Sequence, residues 1–377
     1  MVVTAYYADG SSQPVSDYTV LDGGTLASGK SSVTVSYTEN SISKTAIVPI
    51  TVNSAVPLLK SGSGWYRGSL ARADITSVAF ADSYTPTGSE DESWDASDKN
   101  NGSVMGYRNG TDIIIAGNGS GYIKANAYCG SMFNSFSALT EINNLALVDT
   151  SDSTNMAYMF AYCYKLSSLD VSSFNMSNVK SILYMFLGCY ELESIDVSHW
   201  DTSNIENMQE VFCSCKKLKE LDVSRWNTSN ATNMLGLFAD CTVLPHVDVS
   251  NFDTRKVTTM RRMFMCCPAL ESVDIHNFKT DNVTDISEMF IADVKLKTID
   301  MTGANTANVT KMDSMFSNCQ TLEAIYVGDG FSTASVQSSD RMFLYDYALK
   351  GAIPYEVGKD DAAYANYTTG YLTFKAA

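Results

Sequence analysis

The stretch that decides the fold runs Met185-Phe186-Leu187-Gly188-Cys189-Tyr190-Glu191-Leu192-Glu193-Ser194-Ile195-Asp196-Val197-Ser198-His199-Trp200-Asp201-Thr202-Ser203-Asn204. Its pattern recurs along the chain. A Met-Phe pair, or a close variant, places its Phe at 133, 160, 186, 212, 238, 264, 290, 316 and 343, at spacings of 26 or 27 residues. Such self-similarity is the first thing to seek, because it dictates architecture. Six residues after each Phe stands a Leu: Leu139, Leu166, Leu192, Leu218, Leu244, Leu270, Leu296, Leu322 and Leu349. Ile, Leu or Val follows three residues on, and a further apolar residue two beyond that, as at Ile195 and Val197. The alternation in that last part is a short-strand signal.

The other half of the unit has helical period. Val179, Ile182, Phe186 and Cys189 fall at offsets that share one helix face. Asn178 sits where an N-cap is expected, and Asn204, Asn230, Asn282 and Asn308 repeat it. The expected unit is one short strand, a turn and one short helix. Stacking such units buries a continuous core, with a rise of about 4.8 Å per unit and roughly 40 Å in all.

The string Met185-Phe186-x-x-Cys189-x-x-Leu192-x-x-Ile195-Asp196-Val197-Ser198-x-Trp200-Asp201-Thr202-Ser203-Asn204 resembles the 26-residue repeat of BspA-type bacterial surface leucine-rich-repeat proteins, over about residues 125–350. The resemblance implies an α/β leucine-rich-repeat solenoid, extracellular display, and adhesion to a host or neighbouring surface. It implies no catalytic residues. Asp293 and Asp346 stand where the pattern has Cys, and the last repeats taper toward a cap near Tyr371-Leu372-Thr373-Phe374.

Residues 1–53 read differently. Val33, Val35 and Tyr37 alternate with Ser and Thr; Ala46, Val48, Ile50 and Val52 form a second run; Asp9-Gly10 is a turn signal. The strings Val3-Thr4-Ala5-Tyr6-Tyr7-Ala8-Asp9-Gly10-Ser11 and Thr45-Ala46-Ile47-Val48-Pro49-Ile50-Thr51-Val52 resemble bacterial immunoglobulin-like modules. A whole sandwich of that kind needs about 90–100 residues, so an all-β partial module is expected, with Met1 marking a truncation. Residues 54–128 are expected to link this module to the repeats and cap them. Ile75-x-x-Val78-x-Phe80 and Ile113-Ile114-Ile115 read as degenerate repeat strands there, and 82–103 as an exposed loop. Residues 129–350 hold the nine repeats, and 351–377 the C-terminal cap.

The chain has 377 residues, 45% of them hydrophobic and 18% charged, with a net charge of −16. That composition supports a folded chain. An acidic chain without a basic patch repels phosphate, so nucleic acid is excluded as a partner. No apolar run reaches the length of a bilayer span, and the first residues read as a strand rather than a signal peptide. Export is expected to depend on a signal outside this sequence or to follow another route.

The sharpest candidate site is a column of carboxylates. Asp170, Asp196, Asp222, Asp248, Asp274 and Asp300 each fall between two inward apolar residues and should point outward. Carboxylates stacked about 5 Å apart repel one another. Either a cation or a cationic or hydroxyl-rich ligand compensates them, or the neighbouring Ser172, Ser198, Ser224 and Ser250 and backbone N–H groups do. Calcium is the ion the column would attract; no other cofactor is expected. An aromatic column follows at Phe174, Trp200, Trp226, Phe252 and Phe278. It reads as a packing spine, with Trp200 and Trp226 as the members able to stack on a ligand.

The remaining motifs read blandly. Cys163, Cys189, Cys215, Cys241, Cys267 and Cys319 share one column and read as buried thiols, and a total of nine argues against a disulfide framework. His199, His246 and His276 occupy different columns and form no triad signature. Gly117-Asn118-Gly119-Ser120-Gly121 is out of register for a dinucleotide loop and reads as a turn. Asp91, Glu92, Asp95 and Asp98 do not match a calcium loop. The expectation is a non-enzymatic surface protein that binds a protein or glycan ligand. A virion tail or host-attachment part is the alternative, and a glycan-acting enzyme, which needs a close carboxylate pair in a pocket, is the third reading.

Overall fold

The computed structural model describes residues 3–6, 12–15, 18–20, 32–39, 42–49 and 55–376. The first strands are β1 (Val3–Tyr6), β2 (Ser12–Val15), β3 (Tyr18–Val20), β4 (Ser32–Glu39) and β5 (Ile42–Pro49). They form an antiparallel β1–β2 pair and an antiparallel β3–β4–β5 sheet. Val35 of β4 is buried and Ile47 of β5 is exposed. The expected Asp9-Gly10 turn and the run's end at Ile50 and Val52 lie outside the described residues.

A five-stranded mixed sheet follows, built from β6 (Ser77–Ala81), β7 (Glu92–Asp95), β8 (Met105–Asn109) and β9 (Asp112–Ala116), together with a later strand, Glu141–Asn143. Between β9 and that strand comes β10 (Ile123–Lys124), so Glu141–Asn143 is β11, and β12 (Val148–Asp149) pairs with β10. The sheet order is β11-β6-β9-β8-β7. The stretch 82–103, expected as a loop, therefore contains β7, which pairs antiparallel with β8. The parallel β6–β11 pairing puts the first repeat against this sheet.

The expected α/β leucine-rich-repeat solenoid is overturned. Among the described residues there is no α-helix, only four short 3-10 turns, and the strands make several small sheets. Where a helix was expected, the 26-residue units are strings of turns. Hydrogen bonding shows why. In a helix, the N–H groups beyond the first turn bond within their own segment. Here the N–H groups of Ile182, Tyr184, Phe186 and Gly188 donate instead to the carbonyls of Asn207, Gln209, Val211 and Cys213 in the next unit, at 3.1, 2.9, 2.9 and 2.9 Å. The intervening Met185, Leu187 and Cys189 close three-residue turns onto Ile182, Tyr184 and Phe186.

Two residues per unit turn the chain with a left-handed conformation, Tyr184 (φ 58°) and Gly188 (φ 73°) in this one. A right-handed helix cannot pass through them. The same two places are left-handed at Glu210 and Ser214, Arg262 and Cys266, and Glu288 and Ala292. Ala292 (φ 66°) carries a Cβ in a conformation that L residues other than Gly adopt at a cost. Ala292→Gly is expected to stabilise the protein by up to about 1 kcal/mol, read as a raised urea midpoint at unchanged slope. An unchanged or lowered midpoint would contradict this assignment of strain.

Apolar side chains still turn inward as their spacing requires. The Phe rings stack from unit to unit at 5.4–6.1 Å, from Phe133–Phe160 to Phe316–Phe343. Trp65 and Phe80 close one end of this file of rings, and Tyr371 closes the other edge-on at 5.3 Å. The Leu column beside it is buried throughout. On the opposite side of the unit, single parallel bridges such as Ser194↔Glu220 and His246↔Ser272 join neighbours. They lengthen into true strands at the two ends of the array, at β11 in the first unit and at β13 (Thr298–Met301), β14 (Ala324–Val327) and β15 (Thr373–Phe374), a parallel three-stranded sheet. No helix among the described residues is long and apolar enough to cross a membrane.

The expected Asn N-caps are corrected with the helices. The amides of Asn178, Asn204, Asn230, Asn282 and Asn308 donate to backbone carbonyls of the preceding unit, Ser151, Ser177, Ser203, Arg255 and Asp281, at 2.7–2.9 Å. They tie neighbouring units together rather than ending anything.

Candidate functional site: the carboxylate groove

The side of the units that carries the Ser194↔Glu220 and His246↔Ser272 bridges has an open groove. One part, about 690 Å³, is lined by Asp196, Asp222, Asp248, Glu220, Lys219 and His246 among others. A second, about 430 Å³, runs from Glu141 to Asp196, past Asp170. Both parts are lined by Ser194, Ile195 and Asp196, so they adjoin there.

Local sequence places the carboxylates. Ile195 and Val197 are buried and Asp196 between them is exposed, and the same holds for Asp170, Asp222 and Asp248. The chain then turns at once, and each Asp steadies that turn. Oδ1 of Asp196 accepts from the backbone N–H of Ser198 at 3.0 Å and from its hydroxyl at 2.7 Å. Asp222 does the same with Ser224, and Asp248 with Ser250. Asp170 accepts from the Ser172 N–H at 2.9 Å. The hydroxyl and amide donors hold the carboxyls of Asp170, Asp196 and Asp222 below the usual range, so they stay charged.

The column is not uniform. Asp274 pairs with the ring and backbone of its neighbour His276. Asp300 is half-buried; although burial opposes ionisation, the Lys375 ammonium on its Oδ2, at 2.5 Å, and Thr302 on its Oδ1 hold its carboxyl low. The groove covers the other four, whose Oδ2 atoms have no hydrogen bond among the described residues. Its larger part lies over an interruption in the inter-unit bonding. Lys219 N–H donates to Glu193 and Glu271 N–H to Pro245, but Pro245 has no N–H to offer Lys219.

Because the turn bond lands on Oδ1, an amide can replace the carboxylate there. Asp222→Ala is expected to cost about 1 kcal/mol and Asp222→Asn markedly less, measured by chemical denaturation. Equal losses in both variants would show that the charge, not the acceptor, steadies the turn.

Trp200 and Trp226 do not reach the groove. They are 4% and 2% exposed, stack on each other at 6.3 Å, and pack on Phe186 and Phe212. Burial inside the aromatic file removes them as ligand platforms, contrary to the sequence expectation. Trp226 Nε1 donates to the Val197 carbonyl at 3.2 Å, while the Trp200 ring nitrogen is buried without a partner.

No three His, Cys, Asp or Glu side chains among the described residues are grouped to hold a metal ion. The carboxylates of the 91–98 run are already engaged. Asp91 and Glu92 pair with Arg108, and Asp95 accepts from Ser97 and Gly102. The Gly117–Gly121 stretch is a turn held by Asp82. All nine cysteines are free. The column thiols donate to the Phe carbonyl of the preceding unit, as Cys189 does to Phe160 at 3.3 Å, and burial pushes the Cys189 thiol up to about 12. Sequence reading missed a different feature, a crowd of tyrosines on the turn side, because their spacing follows no single column.

The comparison with protein families finds one match, described as "Mycoplasma protein of unknown function, DUF285", over residues 129–247, 184–291 and 232–354. No curated protein matches the chain. The BspA-type leucine-rich-repeat resemblance is thus corrected by the match as well as by the absence of helices. The matched segments overlap and together cover residues 129–354, more than half of the 377, and the chain belongs to the DUF285 family.

Proposed function

We propose that this chain is a non-enzymatic binding protein whose groove holds an extended, hydroxyl-rich ligand such as a glycan chain. The observation that carries the reading is the row of exposed Asp170, Asp196, Asp222 and Asp248 along two adjoining stretches of groove, each with Oδ1 committed to its own turn and Oδ2 free of hydrogen bonds among the described residues. Hydroxyl donors bond well to charged acceptors. A ligand that repeats along its length meets the same acceptor at each unit. Openness to solvent suits binding rather than catalysis, which gains from excluding water.

The test is binding of the purified chain to a panel of glycans and matrix proteins, with calcium and with chelator. Glycan binding that is lost in Asp196→Asn/Asp222→Asn, a variant expected to melt close to the parent, supports the groove. Binding that survives both substitutions, or no glycan binding at all, overturns it. Binding that appears only with calcium would make the ion a bridge between carboxylates and ligand.

A further inference from the structure

Five tyrosines crowd one part of the turn side. Tyr158, Tyr162 and Tyr164 come from one unit, and Tyr184 and Tyr190 from the next. Tyr158 and Tyr184 lie 4.8 Å apart, Tyr164 and Tyr190 stack at 4.8 Å, and Tyr162 meets Tyr164 edge-on at 6.1 Å. Gly188 sits among them. A Cβ there would stand 3.3 Å from the Tyr162 ring and 3.5 Å from that of Tyr164, so the missing side chain lets the rings close together. Tyr162 and Tyr190 remain 36% and 38% exposed.

The fold does not require these rings. Later units put Glu210, Gly236 and Arg262 where Tyr158 and Tyr184 stand, and Ser214, Asp240 and Cys266 in the place of Tyr162. Tyr158, Tyr162 and Tyr184 are also held at φ 60°, 62° and 58°, a costly conformation for a bulky side chain.

What the rings recognise is indicated by the protein itself. Lys216 Nζ lies 5.1 Å over the Tyr190 ring and 3.3 Å from Asp240, a cation held between an aromatic face and a carboxylate. The opposite part of the cluster, around Tyr158, Tyr162 and Tyr184, has the half-buried Glu210 beside it and no lysine or arginine over its rings among the described residues. Burial pushes the Glu210 carboxyl up, an effect only partly offset by hydrogen bonding with Gln209 and Cys213 and by the Arg262 charge. The chain carries a net −16, which adds long-range attraction for a basic partner.

We propose that the Tyr158–Tyr162–Tyr184 face with Glu210 is a docking surface for an arginine or lysine side chain of a basic partner protein. The cation lies on the ring faces and Glu210 neutralises it, as Asp240 does for Lys216. The surface shares no residue with the carboxylate groove, so it stands or falls separately from the glycan reading.

The probe is a capped tetra-arginine peptide titrated calorimetrically into the full chain. Saturable binding is expected. Tyr162→Leu/Tyr184→Leu, which keeps bulk but removes the rings, should weaken it about tenfold, given about 0.5–1 kcal/mol for each exposed ring. Tyr162→Phe/Tyr184→Phe should keep the affinity within about twofold, because the ring faces persist. Asp196→Asn/Asp222→Asn should leave it unchanged. No binding, equal affinity in the Leu and Phe pairs, or a loss confined to the groove variant would overturn the proposal. If the Leu pair does not fold, retention in the Phe pair together with at least a threefold loss in Glu210→Gln supports it, and failure of either sinks it.

Discussion

Phe212→Ala is expected to destabilise the protein by about 3–5 kcal/mol, the usual cost of emptying a fully buried aromatic site. Phe212 has no exposed surface. Its ring lies between those of Phe186 and Phe238, at 5.6 and 6.1 Å, and against Trp226 at 6.0 Å. Few atoms nearby can move in to fill the gap, because the same ring recurs on both sides and each is fixed by inter-unit hydrogen bonds. Domains are commonly stable by only about 5–15 kcal/mol, so the loss is a large share of the total. Urea denaturation followed by far-ultraviolet circular dichroism is the measurement. A split transition would show that the column has been cut into two separately melting halves, as nearest-neighbour coupling between units predicts. A loss below about 1 kcal/mol would mean that the file of rings is not what holds the units together.

The second large effect is a dependence on pH. Asp346 occupies a place held by buried thiols in most other units, and so does Asp293; neither is exposed. Oδ1 of Asp346 accepts the Cys319 N–H at 2.8 Å, and Oδ1 of Asp293 accepts that of Cys267 at 2.7 Å. The second oxygen of each is buried with no partner. Burial pushes Asp346 up to about 9 and Asp293 well above its ordinary range. Near neutrality Asp346 is held as a neutral acid, standing in for the neutral thiol, and burial biases Asp293 the same way. The folded-state value for Asp346 lies above the unfolded one, so its contribution is fully present below about pH 4. It is lost progressively as the pH rises toward about 9. At about 1.4 kcal/mol for each pH unit between those limits, the loss amounts to several kcal/mol.

Asp346→Asn keeps the acceptor for Cys319 and removes the ionisation. Asp346→Cys restores the residue found in the neighbouring units. Both variants are expected to melt at a higher temperature than the parent at pH 8 and to lose the Asp346 share of the decline between pH 5 and pH 8, leaving that of Asp293. Parallel melting curves for variant and parent across that range would mean that the site opens to water and ionises freely.

Much of the interior was legible in the residues. The spacing of Val179, Ile182, Phe186 and Cys189 correctly says that these side chains point the same way, because burial alone sets that periodicity. It does not say where the backbone N–H groups point. A string of turns with a left-handed residue at Tyr184 and Gly188 buries the same set, and sends every second N–H to the next unit. Helix and turn string are therefore alike in hydropathy and opposite in hydrogen bonding. Asn178 misled for the same reason: an amide that caps a helix and one that donates to a neighbouring carbonyl occupy the same kind of position. The outward turn of Asp196 followed from its place between Ile195 and Val197, and Ser198 was named as its partner from spacing alone. The division of the Asp column was not visible, since Lys375 reaches Asp300 from 75 residues away. Burial of Trp200 and Trp226 needed the neighbouring rings in place.

Because each unit offers its neighbour the same carbonyls and takes the same N–H groups in return, the joints between units are interchangeable. A gene that gains or loses one whole 26-residue segment would still encode matching joints everywhere. Copy number can then drift between related genes by slippage at repeated DNA, lengthening or shortening the groove without redesigning any contact. An indel larger than the single extra residue already accommodated between Phe133 and Phe160 and between Phe316 and Phe343 would leave one joint mismatched and be selected against.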